Sequence, residues 1–356
     1  MEINHPPLRV GWVGAGFVGQ AAHLEHFVRF ADAQVTGLAE LRPMLRSQVA
    51  SSFGLPSTYP SHLELLEQDD CEAVVVVVNR RHTFKVARDV LLSGRHLFTE
   101  KPMAQTADAA AELVSIAKSK NLTYTVGFMR RHDVGVLAAK KLIESLRDSG
   151  ELGPVISVNV VVEAGDDYCN LQQRIPTLEN RPVADKVGIA PEWLRANMHG
   201  DYERFVNVCS HDINLLRFLL GDSPKVTAVS HRAAGFSYAL LEFPEFSGVF
   251  EWGYRPGGVE AGREGVDIRF ERGEVCLRLP PAFLRNTSAS VRFYRGRSTQ
   301  EVGSCSTSNV DFSWSFERAD RAFVRDVLTG SVPVSSGADS LKDFDFIDSI
   351  WQHLAY

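Results

Sequence analysis

Basic residues do not outnumber acidic ones in this chain: 38 Lys and Arg face 44 Asp and Glu, for a net charge of −6. No positive field is therefore available to hold a phosphate backbone, which argues against nucleic acid as a partner. Cysteine is scarce and unpaired. Cys71, Cys169, Cys209, Cys276 and Cys305 are odd in number and nowhere form Cys-x-x-Cys, so neither a disulfide framework nor a zinc ribbon is expected and a reducing compartment is the simpler setting. Long apolar runs are missing as well. The longest aliphatic stretch, residues 73–78, falls far short of the about 20 apolar residues that cross a bilayer. The opening MEINHPPLRVGWVGAG has no basic segment followed by an apolar one, so no secretory signal is expected. These absences predict a cytoplasmic protein with no membrane partner, and neither internal repeats nor low-complexity segments suggest otherwise.

What is present is ordinary globular material. Hydrophobic residues make up 44% and charged residues 23%, close to the averages of about 45–50% and about 25%. At about 150 residues per domain, a length of 356 suggests two domains. In the first third, short aliphatic runs (8–13, 34–39, 73–78, 96–99, 123–128) alternate with helical patterns (20–30, 43–53, 82–93, 106–120). Alternation at these lengths predicts a parallel sheet with right-handed crossovers. After residue 128 comes one long amphipathic helix, 133–149. Strand patterns then follow one another at 155–162, 225–231, 238–243, 248–254, 266–270, 275–279 and 290–294, with helices at 315–328 and 338–354. Period-two alternation in several of these predicts an antiparallel sheet with one packed face. The reading is thus α/β: residues 1–128 as a doubly wound parallel sheet, and 129–356 as an α+β domain with a large, mostly antiparallel sheet.

The first strand flows into Gly14-Ala15-Gly16-Phe17-Val18-Gly19, and Gln20 opens a helix. In a Rossmann fold the first glycine makes the tight turn, the second lets backbone approach a pyrophosphate, and the third allows close helix–strand packing. The helix amino terminus offers free N–H groups to the phosphates. Glu40 ends the second strand 21 residues beyond Gly19, against a usual spacing of about 20 for the acid that takes the ribose hydroxyls. It favours NAD over NADP, although Arg42 is a residue type that pairs with a 2′-phosphate. Thr99-Glu100-Lys101-Pro102 ends another strand of the same sheet, on the edge where such folds bind ligands. An ammonium there can donate to a substrate oxygen.

Together the glycine turn, Glu100-Lys101-Pro102, Val126-Gly127-Phe128-Met129-Arg130-Arg131 and Ser210-His211-Asp212-Ile213-Asn214-Leu215-Leu216 resemble the Gfo/Idh/MocA oxidoreductases. The Met-Arg-Arg segment is particularly similar to inositol dehydrogenases. The resemblance implies an NAD-dependent dehydrogenase of sugars, cyclitols or related polyols, working as a homodimer or homotetramer built through the second sheet. It puts the catalytic lysine at Lys101 and the general-base histidine at His211. Asn207 stands where the family has Asp, and Arg130 where an arginine reaches substrate hydroxyls. Cofactor contacts are expected from Gly14, Gly16, Phe17, Val18, Gly19, Glu40, Asn79, Glu100 and Lys101, with Val78-Asn79 replacing the family's Thr-Pro turn. Two alternatives remain open: an enzyme that keeps NAD and uses transient oxidation for elimination or hydrolysis, and a nucleotide-binding regulator of the same fold.

His211 reads as the start of an amphipathic helix whose apolar face is Leu215, Leu216, Phe218 and Leu219. Removing hydride from a secondary alcohol needs a base for the hydroxyl proton, and imidazole titrates near working pH. Asn207 can hydrogen-bond that ring but brings no charge. The polar stretch 164–207, with Tyr168, Trp193, His199 and Tyr202, reads as a long binding loop and hints at a sugar conjugate as substrate. Cys209, His199, His211 and His231 match no usual metal spacing, so no metal is expected. Ser210 lacks the glycine elbow of a hydrolase.

Overall fold

The computed structural model describes all residues except 1–4, 168–173, 181–182, 184–187, 222, 233–234, 261–262, 297–303, 309–312 and 356. The described residues form two compact units. The first comprises 1–128, 171–191 and 316–341, and the second 129–170, 192–315 and 342–356.

In the first unit β1 (Leu8–Val13) leads through a π-helical segment, Gly19–Leu24, into the short α1 (Glu25–Phe27). There follow β2 (Ala33–Ala39), α2 (Pro43–Phe53), β3 (Thr58–Tyr59), α3 (His62–Gln68), β4 (Ala73–Val76), α4 (Arg80–Leu92), β5 (His96–Thr99), α5 (Ala107–Ser119) and β6 (Tyr124–Val126). The strands lie in the order β3-β2-β1-β4-β5-β6, every neighbouring pair parallel. This is the doubly wound order with its switch point between β1 and β4, where the carboxyl ends of the strands border a ligand crevice. β4 is buried at every position, as a strand covered on both faces must be. Short polar caps fix where helices start: the Asn79 and Thr106 side chains accept from the N–H groups of Arg81 and Ala109 at the heads of α4 and α5. β3 and α3 were not read from the sequence, being too short to carry a period.

Two later segments join this unit because they bring side chains to its core. Phe323 and Val324 are buried in the same cluster as Trp12, Leu24, Phe27 and Phe98, and Ile175 packs against it. The ring of Phe323 meets that of Phe98 edge to face at 5.6 Å.

The second unit has α6 (Val134–Ser149), β7 (Val155–Asp167), α7 (His199–Leu220), β8 (Lys225–Ser230), β9 (Phe236–Glu242), β10 (Ser247–Glu260), β11 (Glu264–Phe270), β12 (Gly273–Arg278), β13 (Ser290–Arg295) and β14 (Ser304–Ser308). α8 (Ser315–Thr329) and α9 (Gly337–Leu341) follow in the chain, and α10 (Asp343–Ala355) closes the unit. Its sheet runs β14-β13-β12-β11-β7-β10-β9-β8 and is antiparallel except for the β7–β10 pair. β9 alternates cleanly, with Ser237, Ala239 and Leu241 buried and Tyr238, Leu240 and Glu242 exposed. α6, α7 and α10 pack against this sheet. Ile156, Leu240 and Tyr294 stay exposed.

Two sequence expectations need correcting. The helix expected to start at His211 begins at His199, after a 3-10 turn at Ala196–Met198. Tyr202, Phe205, Val206, Cys209, Ile213, Leu216 and Leu220 are all buried; they recur at helical spacing, so packing winds a stretch whose polar composition reads as loop. Tyr202 is core, edge to face with Trp351 at 5.5 Å. With β7 reaching Asp167, the irregular part of 164–207 is correspondingly shorter; Tyr168 and Cys169 lie outside the described residues. The expected helix 338–354 is two helices. The Asp343 carboxylate turns inward to the Asn214 amide at 2.8 Å and to the Arg217 guanidinium, and a negative charge in the first turn of α10 is favourable there.

Candidate functional site

The glycine turn is built as the sequence demands. Gly14 has φ +97°, and a Cβ there would lie 2.2 Å from the Val77 carbonyl oxygen, so only glycine fits. Its N–H donates to the Ala39 carbonyl at 2.9 Å. A Cβ on Gly19 would stand 3.0 Å from the Gly14 oxygen. Gly16 is different: a Cβ there meets nothing within 4 Å. No packing reason requires glycine at Gly16, and an open backbone is what close approach of a pyrophosphate needs. Phe17 and Val18 follow, both half-buried, with Val18 against the core. The fully buried Gln20 side chain donates to the Ala15 carbonyl at 2.8 Å and pairs with both backbone groups of Ile175. The residues present therefore fit a dinucleotide.

Glu40 is buried at the end of β2. One of its oxygens accepts from the Ala15 N–H at 2.9 Å and the Arg42 Nη2 at 2.9 Å. The other takes the Arg42 backbone N–H at 3.1 Å and Nε at 2.8 Å. Burial alone would raise the Glu40 pKa, but the Arg42 guanidinium and the backbone donors hold it below the usual range. A carboxylate offers about four acceptor positions, so a ribose must exchange with Arg42 to reach this one. Nearby, Glu179 accepts from the Met44 and Leu45 N–H groups at 3.1 and 2.8 Å, closing the amino end of α2 with a second carboxylate.

Lys101 is half-buried beyond the end of β5. Its backbone N–H donates to Glu100 Oε2 at 3.0 Å, and its peptide bond to Pro102 is cis. Glu100 Oε1 in turn meets His23 Nε2 at 3.0 Å. Asn79 is exposed, and its side-chain oxygen is spent capping α4 through Arg81 N–H at 3.0 Å.

In the second unit Asn207 and His211 are both half-buried on α7. They stand one turn apart, the spacing that puts two side chains on the same strip of a helix. Arg130 is buried, its guanidinium donating to the Pro280 carbonyl at 2.8 Å and to Glu264 at 2.5 Å. The neighbouring Arg131 bonds the Asn214 side chain at 2.5 Å and stacks over Phe218 at 5.0 Å. Cys71, Cys209 and Cys276 are buried free thiols. Asp267, Glu274 and Cys276 cluster closely enough for a metal, but Arg278, Arg269 and Arg292 already bond them. Among the described residues no helix is long and apolar enough to cross a membrane.

His23, Asp320, Gln20 and Glu179 escaped sequence reasoning. His23 and His26 gave one signal, two histidines on the buried stripe of a helix. Asp320, 297 residues from His23, gave none.

Comparison with known proteins agrees with this geometry. Residues 8–128 match the Gfo/Idh/MocA family, described as an oxidoreductase family with an NAD-binding Rossmann fold. The chain is 33% identical over 165 residues to inositol 2-dehydrogenase/D-chiro-inositol 3-dehydrogenase of Shouchella clausii, covering 45% of this chain and 47% of that protein. It is 25% identical over 229 residues to levoglucosan dehydrogenase of Pseudarthrobacter phenanthrenivorans, covering 62% and 53%. The chain thus spans about half the length of these two relatives. The crystal structure of KijD10, a 3-ketoreductase from Actinomadura kijaniata in complex with NADP and TDP-benzene, superposes with a TM-score of 0.75 over 98% of both chains at 19% identity, a likeness that speaks for the fold. Residues 8–128 are thus similar to the NAD-binding Rossmann fold of the Gfo/Idh/MocA oxidoreductase family.

Proposed function

We propose that the protein is an NAD-dependent dehydrogenase acting on a secondary alcohol, or the matching ketone, of a sugar, cyclitol or sugar conjugate. The observation that carries this is the glycine turn with its open Gly16, which follows β1 of the parallel sheet whose β5 leads into Lys101. NAD, when bound, supplies the hydride acceptor. The backbone at Gly14–Gly19 holds the pyrophosphate, and the Lys101 ammonium donates to the substrate oxygen and stabilises the charge that develops on it. His211 takes the hydroxyl proton, with Asn207 one turn away as its hydrogen-bonding neighbour, and Arg130 belongs to the substrate side. Relatives named for inositol and levoglucosan support a polyol substrate.

NAD is preferred over NADP because the Arg42 guanidinium and the amides at the head of α2, groups suited to a 2′-phosphate, already serve carboxylates. Glu40 takes the Arg42 guanidinium, and Glu179 takes the α2 amides. A second copy of the chain covers the open face of the large sheet, where Ile156 and Leu240 are exposed. The test is NADH formation from NAD with a panel of sugars and cyclitols, repeated with NADP. Turnover with at least one polyol, faster with NAD, supports the reading; NAD binding without net NADH points to the cofactor-retaining alternative.

A further inference from the structure

Within the first unit a buried charge cluster leads through Glu100 to the backbone of Lys101. Asp320, on α8, is fully buried, and each of its oxygens faces an imidazole: Oδ1 meets His23 Nδ1 at 2.7 Å and Oδ2 meets His26 Nδ1 at 2.8 Å. The second nitrogen of His23 faces Glu100 Oε1 at 3.0 Å, while Glu100 Oε2 holds the Lys101 N–H at 3.0 Å. A neutral imidazole has one N–H and one lone pair. A ring that faces an ionised carboxylate on each nitrogen must carry both protons to satisfy them. Burial pulls the His23 pKa down, but Asp320 foremost and Glu100 after it outweigh burial, and it is pushed up to about 10. The rings of Phe98 and Phe316 meet the His23 ring in T-shaped contacts at 5.4 and 5.3 Å. Gly127 leaves room for the carboxylate, since a Cβ there would lie 2.8 Å from Glu100 Oε1.

We propose that the His23 imidazolium, clamped by Asp320, is a positioning residue for Lys101: it fixes the Glu100 carboxylate, and Glu100 fixes the backbone from which the lysine side chain springs. Stability alone is a poor reason for such a cluster, because well-packed apolar side chains often replace buried ion pairs without loss. The chain of contacts ends at the residue whose placement matters most for the reaction, so the inference rests on the reading of Lys101 given above.

The experiment combines nitrogen-15 NMR of the histidines in the wild-type protein at pH 8 with kinetics of His23→Gln, Asp320→Asn, the double variant and Lys101→Ala. The expected results are a doubly protonated His23 ring and a kcat lowered at least about tenfold in His23→Gln. The KM for the alcohol and the Kd for NAD should stay within about twofold, and the double variant should cost no more than the worse single one. A neutral ring at pH 8, or a folded His23→Gln with wild-type kcat and a lowered Tm, overturns the proposal. Should His23→Gln not fold, the NMR signature and the Asp320→Asn kinetics decide by the same criteria. Full activity in Lys101→Ala would instead sink the reading of Lys101 itself, whereas an inactive Lys101→Ala beside a fully active His23→Gln removes only the coupling.

Discussion

Alanine at Gly14 and alanine at Gly16 should fail in different ways. At Gly14 a side chain meets the Val77 carbonyl at 2.2 Å in a backbone with φ +97°, and the conformation alone costs on the order of 1–3 kcal/mol. Gly14→Ala is therefore expected to lower Tm clearly. Gly16→Ala adds a methyl group where nothing lies within 4 Å, so Tm should hold while the Kd for NAD rises at least about tenfold, or about 1.4 kcal/mol. Thermal melts beside calorimetric titration read both; unchanged NAD affinity in Gly16→Ala would contradict the placement of the pyrophosphate. The glycines were legible in the sequence because backbone sterics is local. The surroundings of Glu40 are only half legible: its partner Arg42 is two residues away, but Glu179, which accepts from the α2 amides next to them, comes from a segment with no periodic pattern. The same holds for Lys101, whose motif is contiguous while Asp320, behind it through His23 and Glu100, lies far off in the chain.

At the scale of elements, periodicity served where one face is buried and misled where polar residues interrupt the stripe. α2 and β5 fall where their patterns put them, whereas α4 starts at Arg80, two residues ahead of the expected 82, because Asn79 caps it; Thr106 caps α5. α7 is longer than its pattern suggests because Asp201, Glu203, Arg204 and Asn207 dilute its apolar stripe, though Tyr202, Phe205 and Val206 are buried. The longer helix has a consequence for the chemistry. Asn207 and His211 share one strip, so a carboxylate placed at the first bears directly on the second. A nearby negative charge favours the imidazolium and raises its pKa. In Asn207→Asp the acid limb of the kcat/KM profile, which reports the free base, is expected to move to higher pH; an unmoved limb would take His211 out of the role of base.

For the whole molecule, the buried imidazolium makes stability fall at alkaline pH. A histidine raised from an ordinary value of 6.5 to about 10 contributes stability that is complete below about pH 6.5 and is lost as the pH climbs toward 10. Tm should therefore fall between pH 7 and 10 more steeply in the wild type than in His23→Gln; parallel curves would mean the ring is neutral throughout. The open sheet face makes a separate prediction. Leu240, half exposed on β9, should on replacement by Arg shift the sedimentation mass toward the monomer while activity per folded chain changes by less than the loss in Lys101→Ala, which at a proton-donating residue is about 10²–10⁴-fold. Passage of hydride between a substrate carbon and a nicotinamide ring is read by isotope transfer. With a polyol deuterated at the carbinol carbon and unlabelled NAD, the account predicts deuterium in the released reduced cofactor, formed by the wild type and not by Lys101→Ala; reduced cofactor that carries no label, or equal transfer by the two proteins, would contradict it.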